Sequence, residues 1–286
     1  MTDPFKVQGP ALISFSGGRT SAMMLYRIVQ ACGGTLPDDV RVVFNNTGRE
    51  LEQTLEFVRD CGKRWGVDIV WLEYATAERP ADSWREVTFD TASRDGEPFM
   101  AVIKRKGYLP NPVTRFCTLE MKIQTTHRWA KTRGLKKADR IIGLRADEPH
   151  RIARIRAREA NGGDPWVCRF PLHTVGVTKR DVQDFWNAQN FDLRLPNING
   201  VTPQGNCDLC FLKSAATVQA LIAARPSLAD WWIKAEATTL ASKPSGARFR
   251  SDRPSYAAML DVTQRQQAFA FPATEDIIDC FCGDGA

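Results

Sequence analysis

The sequence predicts an α/β fold, a doubly wound parallel sheet followed by a helical extension that carries cysteines. In the first half of the chain, short apolar runs alternate with longer segments of helical periodicity. This pattern is typical of β-α-β units whose parallel sheet is covered on both faces. In the second half, two segments of helical periodicity follow a loop rich in proline, asparagine and glycine. We therefore predict an α/β domain over residues 1–200 and a helical extension over residues 201–286.

Four short apolar runs are predicted to be strands, because a strand buried in a parallel sheet is apolar on both faces. They are residues 11–15 (ALISF), 41–45 (RVVFN), 68–72 (DIVWL) and 140–144 (RIIGL). Helical periodicity predicts helices over residues 21–31, 51–65, 122–133, 178–190, 214–224 and 228–238. Residues 76–116 fit no period and are predicted to form excursions over the active face. Residues 242–256 are polar and basic and are predicted to be mobile.

Composition indicates a folded protein and excludes two classes of protein. Hydrophobic residues make up 43% and charged residues 25% of the chain, which excludes global disorder. No segment approaches the run of about 20 apolar residues that a membrane helix needs, and the first residues lack the pattern of a secretory signal. We therefore expect a cytoplasmic protein without a membrane partner. The net charge of +6 is compatible with phosphate, nucleotide or nucleic-acid ligands and requires none of them.

The loop after the first predicted strand has the composition of a phosphate-binding loop. Its residues are Ser16, Gly17, Gly18, Arg19, Thr20 and Ser21. The two glycines let a phosphate approach the backbone, and the helix that follows offers unpaired N–H groups and the positive end of its dipole. The hydroxyl groups add further donors to this anion cradle. The spacing matches neither the Walker loop nor the dinucleotide-binding fingerprint, and a glycine-rich turn without a ligand stays open as the alternative.

Five motifs in chain order give the sequence a resemblance to a known family. The loop at residues 16–21 resembles the S-G-G-x-x-S pyrophosphate-binding loop (PP-loop) of the N-type ATP pyrophosphatases and of the phosphoadenosine phosphosulfate (PAPS) reductase family. The other motifs lie at residues 44–57 (F-x-x-T-G-x-E, then T and F), 142–148 (G-x-R-x-x-E), 171–186 (P-L, T, D-V and W) and 205–210 (similar to G-C-x-x-C). The resemblance spans roughly residues 11–215. It implies an adenine nucleotide α-hydrolase-like fold with a PP-loop nucleotide-binding domain.

Several motif residues are predicted to meet at one edge of the sheet. The carboxyl ends of parallel strands lie together there, and ligands bind at this edge. The predicted nucleotide contacts besides the PP-loop are Thr47, Gly48, Glu50 and Gly143. Arg145 is predicted to pair with a phosphate, and Glu50 or Glu148 to hold Mg²⁺ or a ribose hydroxyl. Arg145 and Glu148 are the predicted catalytic residues at this edge, and negative charge at a helix N-terminus is the alternative role for the carboxylates.

Three separated groups of cysteines predict a metal site. Cys207 and Cys210 form a C-x-x-C, Cys117 stands alone, and Cys280 and Cys282 form a C-x-C. A C-x-x-C by itself is compatible with a redox dithiol, half of a zinc site or part of an iron–sulfur site. Some members of the family carry a 4Fe–4S cluster on a similar arrangement, so the resemblance implies such a cluster here. Its predicted ligands are Cys117, Cys207, Cys210 and Cys280. Zinc on four thiolates and unliganded cysteines are the alternatives.

The resemblance implies chemistry at the phosphates of an adenine nucleotide. In the first hypothesis the chain binds ATP with Mg²⁺, an acceptor attacks the α-phosphorus, and pyrophosphate leaves. The cysteine site then delivers sulfur to the adenylylated nucleic acid or metabolite, with a sulfur-donor protein as a partner. Catalysis would depend mainly on positioning and charge stabilisation. The loop keeps the complete S-G-G-x-x-S motif, which favours ATP as the nucleotide.

Two further hypotheses remain open. PAPS reductases of sulfate assimilation place a catalytic cysteine in the motif E-C-G-(I/L)-H, whereas residues 279–284 (DCFCGD) lack the glutamate and the histidine. This departure disfavours a PAPS or adenosine-phosphosulfate reductase. In such an enzyme Cys282 would be the catalytic thiolate that attacks the sulfonate sulfur, and a thioredoxin-like protein would resolve the S-sulfocysteine. The third hypothesis is a non-catalytic nucleotide- or nucleic-acid-binding module, since a fold does not fix a function.

Overall fold

A computed structural model describes residues 3–135, 137–162 and 166–265 of the chain. In this part of the chain a six-stranded sheet forms the centre of an α/β architecture. The strands are β1 (Ala11–Ser14), β2 (Val40–Asn45), β3 (Ile69–Glu73), β4 (Arg85–Val87), β5 (Asp139–Ile142) and β6 (Cys168–Arg169). The predicted α/β fold is confirmed, and the four predicted strands correspond to β1, β2, β3 and β5.

The strand order β4-β3-β2-β1-β5-β6 determines where a ligand can bind. Neighbouring strands are parallel except for β3 and β4, which are antiparallel. The chain leaves β1 towards β2 on one side and returns later to β5 on the other side of β1. The carboxyl ends of β1 and β5 therefore flank the point at which the strand order reverses. Open α/β sheets bind their ligands in the crevice at such a point.

Helices cover the sheet and continue beyond it. They are α1 (Arg19–Ala31), α2 (Glu52–Trp65), α3 (Glu97–Lys106), α4 (Phe116–Thr118), α5 (Thr125–Thr132), α6 (Pro149–Ala160), α7 (Pro171–Thr174), α8 (Lys179–Asn187), α9 (Ala215–Ala224), α10 (Ala229–Ser242) and α11 (Tyr256–Arg265), and a π-helical segment (Leu119–Gln124) joins α4 to α5. Each of the six predicted helices has a counterpart in this set. No helix in the described ranges is both long enough and apolar enough to cross a membrane.

Both faces of the central strands are buried. Ala11 and Ile13 of β1 belong to the cluster that includes the apolar faces of α1 and α2. Leu12, between them, packs in a different cluster with Trp129 and Ala130 of α5. Successive side chains of a strand point to opposite faces, so this strand must be apolar throughout. The same reasoning explains why the sequence of β1 is a continuous apolar run.

A further apolar cluster joins α3 to the C-terminal helices α9, α10 and α11. Two expectations are corrected by it. Residues 76–116 contain β4 and α3, and Phe99 of α3 is buried in this cluster. Residues 242–256 are anchored rather than mobile, because Phe249 is fully buried and its ring stacks on that of Phe211 at 5.7 Å. The two buried aromatic residues of this polar segment, Phe249 and Tyr256, form no periodic signal, which explains the error.

Candidate functional site

A cleft of about 240 Å³ opens at the carboxyl ends of β1 and β5. Its walls come from the β1–α1 loop, the β5–α6 connection, the start of α8 and the segment at residues 200–213. All six residues of the predicted phosphate loop line it, as do Gly143, Arg145 and Glu148. The cleft therefore lies at the reversal of strand order, where segments distant in sequence converge.

Two serines hold the β1–α1 loop in shape. The Ser21 Oγ lies 2.9 Å from the Ser16 Oγ, accepts a hydrogen bond from the Ser16 N–H at 3.2 Å and donates to the Gly18 carbonyl at 3.0 Å. Gly17 has a φ of 75°, and a Cβ at this position would lie 2.8 Å from the Thr54 Cγ2. Both the left-handed backbone and the close packing therefore require glycine at position 17.

The start of α1 faces the cleft behind this loop. The first N–H groups of a helix have no acceptor within the helix, and the helix dipole makes this end positive. No side chain in the described residues caps this end of α1. A Cβ on Gly143 would lie 3.0 Å from the Ser21 Cα, so glycine there lets the end of β5 approach α1 closely. The loop and helix start thus form a rigid donor surface that suits phosphate.

The cleft carries an excess of positive charge. Its cationic lining residues are Arg19, Lys122, Arg140, Arg145, Arg151, Lys179 and Lys213. Among the described lining residues, Glu148 is the single carboxylate. A concave site lined by one sign of charge concentrates ligands of the opposite sign. The arrangement therefore favours a polyanion.

Glu148 positions two of these arginines. Its Oε2 accepts from the Arg145 backbone N–H at 3.0 Å, and its Oε1 accepts from the Arg151 Nη1. The Arg145 Nη1 donates to the Thr20 Oγ1 at 3.2 Å, and its Nε donates to the Asp147 Oδ1 at 2.8 Å. Arg145 thus reaches the phosphate loop. Both oxygens of Glu148 accept from protein donors, so its geometry is that of a positioning residue for the arginines.

The Arg19 side chain is occupied by protein acceptors. Its Nε and Nη2 donate to the Asp192 carboxylate at 2.7 and 2.6 Å. Its Nη1 donates to the Thr202 Oγ1 at 2.7 Å, and its Nη2 also donates to the Leu195 carbonyl at 2.9 Å. The guanidinium therefore clamps the loop against the chain that follows α8. Arg19 also lines the cleft as part of the loop.

Strand β2 reaches the cleft with Asn45, its last residue, and the predicted nucleotide contacts Thr47, Gly48 and Glu50 follow it. None of the three is among the described residues that line the cleft. The Glu50 Oε2 accepts from the Thr47 N–H and Oγ1, both at 2.8 Å. Glu50 also forms an isolated β-bridge with Cys207, and the Thr47 Oγ1 lies 3.4 Å from the Cys207 Sγ. The C-x-x-C loop covers this strand end, so the segment supports that loop.

An ion pair also holds the C-x-x-C loop against the residues that follow β2. The Arg49 guanidinium donates to the Asp208 carboxylate, which is buried, and the Arg49 side chain is only 10% exposed. The Asp208 Oδ1 accepts from the Trp232 Nε1 at 2.8 Å, and the Arg49 guanidinium lies over the Trp231 ring at 5.2 Å. This pairing joins β2, the C-x-x-C loop and α10. Sequence reasoning missed it because each partner lies between motif residues and carries no pattern of its own.

Three of the predicted cysteine ligands lie in one region. Cys117, Cys207 and Cys210 belong to the cluster formed with α3 and the C-terminal helices. Cys207 and Cys210 are buried, and Cys117 is half-buried. Cys280 and Cys282 lie outside the described residues. Within the described ranges, no group of three or more His, Cys, Asp or Glu side chains is arranged to hold a metal ion. The four-thiolate site therefore stays a prediction.

Lys213 connects the cleft to the C-x-x-C loop, and sequence reasoning did not single it out. Its Nζ donates to the Gly205 and Cys207 carbonyls at 2.9 and 2.6 Å, and the residue also lines the cleft. The available signal in the sequence was a lysine three residues after Cys210, directly after two apolar residues. Other cations of the cleft were missed because single charges on predicted helices and strands form no motif. They are Lys122, Arg140 and Lys179.

Comparisons with known proteins identify relatives of the chain. An uncharacterized nin region protein of Escherichia phage lambda is 29% identical over 213 residues, which is 72% of this chain and 67% of that protein. An uncharacterized protein of Methanocaldococcus jannaschii is 37% identical over 67 residues, 23% of this chain and 13% of that protein. Among solved structures, the U34-tRNA thiolase NcsA from Methanococcus maripaludis with its 4Fe–4S cluster aligns over 90% of this chain and 73% of its own, with a TM-score of 0.41 and 13% identity.

The family assignment comes from a family model that covers most of the chain. The model of the phosphoadenosine phosphosulfate reductase domain matches residues 10–194. This range contains the sheet, the β1–α1 loop and Arg145. The chain therefore belongs to the phosphoadenosine phosphosulfate reductase domain family.

Proposed function

We propose that the chain binds ATP in the cleft, transfers AMP to an acceptor with release of pyrophosphate, and couples this step to sulfur transfer. The observation that carries the proposal is the cradle at the start of α1. Helix N–H groups, the paired hydroxyls of Ser16 and Ser21, and the Arg145 guanidinium converge there on one space. Donors of this kind bind phosphate in preference to neutral ligands.

The charge of the cleft supports a polyphosphate as the ligand. Seven cationic residues and one carboxylate line it. Arg19 is neutralised by Asp192, and Glu148 contacts both Arg145 and Arg151. Three further lining cations, Arg140, Lys179 and Lys213, together carry more charge than a single phosphate group would neutralise. A triphosphate therefore suits the site better than a nucleoside monophosphate.

The proposed reaction has two group-transfer steps. An acceptor oxygen attacks the α-phosphorus of ATP, and the bond from this phosphorus to the bridging oxygen breaks. Pyrophosphate leaves with that electron pair, and the acceptor loses one proton to solvent. A hydrosulfide-class donor then attacks the activated carbon, AMP leaves with the carbon–oxygen electron pair, and the sulfur loses its proton. The chain contributes positioning and charge stabilisation, and Arg145 faces the charge of the leaving pyrophosphate.

Magnesium enters this proposal as part of the MgATP substrate. Both oxygens of Glu148 accept from protein donors, and Glu50 lies at the C-x-x-C loop with its Oε2 bound to Thr47. Neither carboxylate therefore presents a ready magnesium site in the cleft. The phosphates themselves are the natural oxygen ligands of the ion.

The cysteines fit a thiolate-bound cluster in their donor chemistry. Cys117, Cys207 and Cys210 lie in one largely buried cluster, and Cys280 would complete a set of four thiolates. When bound, a 4Fe–4S cluster would supply a binding point for the sulfur donor. The chain itself fixes the loop of Cys207 through Thr47 and Lys213.

Pyrophosphate release tests the proposal. Wild-type protein with MgATP and a panel of nucleic-acid and small-molecule acceptors should release pyrophosphate and AMP in equal amounts, dependent on the acceptor. Arg145→Met should lower the rate about 10²- to 10³-fold, the cost of one lost transition-state donor. Arg180→Met is the matched control, because Arg180 is 90% exposed and lies outside the lining. ATP binding without turnover on every acceptor would contradict the proposal and favour a nucleotide-binding module.

The same assay separates the reductase hypothesis. Sulfite release from PAPS or adenosine phosphosulfate in the presence of thioredoxin, without pyrophosphate release from ATP, would identify a sulfonucleotide reductase. Cys282→Ser should then abolish sulfite release, since that thiol is the predicted nucleophile. We expect no sulfite.

A further inference from the structure

Lys213 carries a buried positive charge that no carboxylate of the described residues neutralises. The residue is 3% exposed, and its Nζ donates to the Gly205 and Cys207 carbonyls. An ammonium has three N–H donors and no acceptor. In the part of the chain that the structure describes, no carboxylate forms an ion pair with this Nζ, and two of its three donors have acceptors.

The other buried cations at this end of the sheet show the contrast. Arg19 pairs with Asp192, and Arg49 pairs with Asp208. Burial of a charge without an opposite charge costs free energy. Such a charge persists where function supplies the missing partner. Lys213 therefore lacks the paired carboxylate that these arginines have. It lines a cleft whose positive charge favours anions.

The backbone around Lys213 holds this ammonium in place. The Lys213 N–H donates to the Cys210 carbonyl at 3.0 Å, and the Lys213 carbonyl accepts from the Arg253 Nη1 at 2.8 Å. The Tyr256 hydroxyl donates to the Leu209 carbonyl at 2.7 Å in the same loop. A donor fixed on both sides in this way is preorganised for a ligand and loses little entropy when it binds one.

We infer that Lys213 is a further substrate-binding residue, which contacts the α-phosphate of the nucleotide from the cysteine side of the cleft. The inference rests on the proposed function. The β1–α1 loop and Arg145, which are joined by the hydrogen bond from Arg145 to Thr20, suit the phosphates that leave. The α-phosphate is the group that the acceptor attacks, and the acceptor must also reach the sulfur source. It therefore lies nearest to the loop of Cys207 and Cys210, which Lys213 joins to the cleft.

Three ligands separate this role from a structural one. We would measure the affinities of AMP, pyrophosphate and adenosine for the full chain by titration calorimetry, in wild type, Lys213→Met and Lys213→Arg. Lys213→Met should weaken AMP binding about 10- to 100-fold, the loss of one charge-assisted contact. Pyrophosphate and adenosine should change less than about twofold, because neither carries an α-phosphate. Lys213→Arg keeps the charge and should recover part of the AMP affinity.

Controls make each outcome decisive. Lys234→Met makes the same substitution at an exposed position on α10 and should bind AMP as wild type does. Equal loss for all three ligands, or no loss for AMP, would overturn the inference while leaving the proposed function intact. Failure of wild type to bind MgATP would instead overturn the proposed function.

A measurement on wild type covers the case in which Lys213→Met does not fold. In protein labelled with ¹⁵N-lysine, the Nζ resonance that is missing from Lys213→Arg belongs to Lys213. It should shift on addition of AMP and stay in place on addition of adenosine. A Lys213 Nζ resonance that does not shift on addition of AMP would also overturn the inference.

Discussion

Two strand ends at the same edge of the sheet look alike in sequence and differ in the structure. Residues 47–50 follow β2 and residues 143–148 follow β5, and each segment contains a glycine and then a glutamate. Residues 143–148 contribute to the cleft, where Glu148 braces two arginines. Residues 47–50 face the C-x-x-C loop, and Glu50 bridges to Cys207. A strand end thus brings a motif to the ligand-binding edge, and the chain packed against it decides what the motif can reach.

The two regions also differ in how their charges are matched. Near the C-x-x-C loop, Arg49 and Asp208 neutralise each other, and Asp208 accepts a hydrogen bond from Trp232 of α10. On the cleft side, cations outnumber the single lining carboxylate of the described residues. Matched buried groups contribute to the stability of the fold, whereas an excess of positive charge in a cleft favours the binding of an anion. Substitutions on the first side should change stability, and substitutions on the second side should change affinity.

The largest expected effect is on stability, at the buried ion pair. Arg49→Met leaves the Asp208 carboxylate buried without its cation and should lower the free energy of unfolding by about 3–5 kcal/mol. Denaturant unfolding followed by circular dichroism measures this change. Arg79→Met removes an exposed ion pair with Asp82 and is the control, with an expected cost of about 0–1 kcal/mol. Equal costs for the two variants would show that the cysteine side is not the stabilising region.

An intermediate effect is expected at the phosphate loop. Ser21→Ala removes the hydroxyl that bonds Ser16 and Gly18, so the loop loses part of its preorganisation. MgATP affinity measured by calorimetry should fall about fivefold, which corresponds to about 1 kcal/mol for one net hydrogen bond. Ser227→Ala, at an exposed position before α10, should leave the affinity unchanged. A loss of stability without loss of affinity in Ser21→Ala would mean that the loop is only structural.

The smallest effect is a pH dependence on the cysteine side. Burial raises the pKa of Glu236, although the Tyr256 N–H donates to its carboxylate at 3.1 Å. The folded state therefore keeps this proton at pH values where the unfolded chain has lost it, and stability falls as pH rises from the ordinary glutamate pKa through the raised one. Glu236→Gln removes this loss. Its melting temperature relative to wild type should thus increase with pH across that window.

An exposed carboxyl provides the control for this pH series. Glu78→Gln removes one negative charge at an exposed position. A relative melting temperature of Glu236→Gln that falls with rising pH would contradict the account of a destabilising buried carboxylate.

The fold could be predicted from the sequence because its signals are local. Residues of β1 must be apolar on both faces, and α2 buries Leu55, Val58 and Cys61 at helical spacing. The elements that lack such a local signal were not predicted. The edge strand β4 has three residues, and α3 lies within residues 76–116, where no period could be recognised.

The site was only partly predictable because much of it depends on tertiary contacts. Glycine and hydroxyl residues between a strand and a helix are a local signal for phosphate binding. The residue types at positions 47–50 do not indicate that the C-x-x-C loop will cover them. Likewise, the clamp from Arg19 to Asp192 joins positions 173 residues apart. Lys213 acquires its place only when the segment after Cys210 returns to the cleft.

Amide hydrogen exchange on binding MgATP tests the central claim most directly, because it reports on both regions in one experiment. The account predicts slower exchange in peptides that contain residues 16–21 and 143–148, since their N–H groups and side chains lie against the phosphates. Peptides that contain residues 47–50 should exchange at the same rate with and without the nucleotide. Protection at residues 47–50 without protection at residues 16–21 would contradict the assignment of the cleft as the nucleotide site.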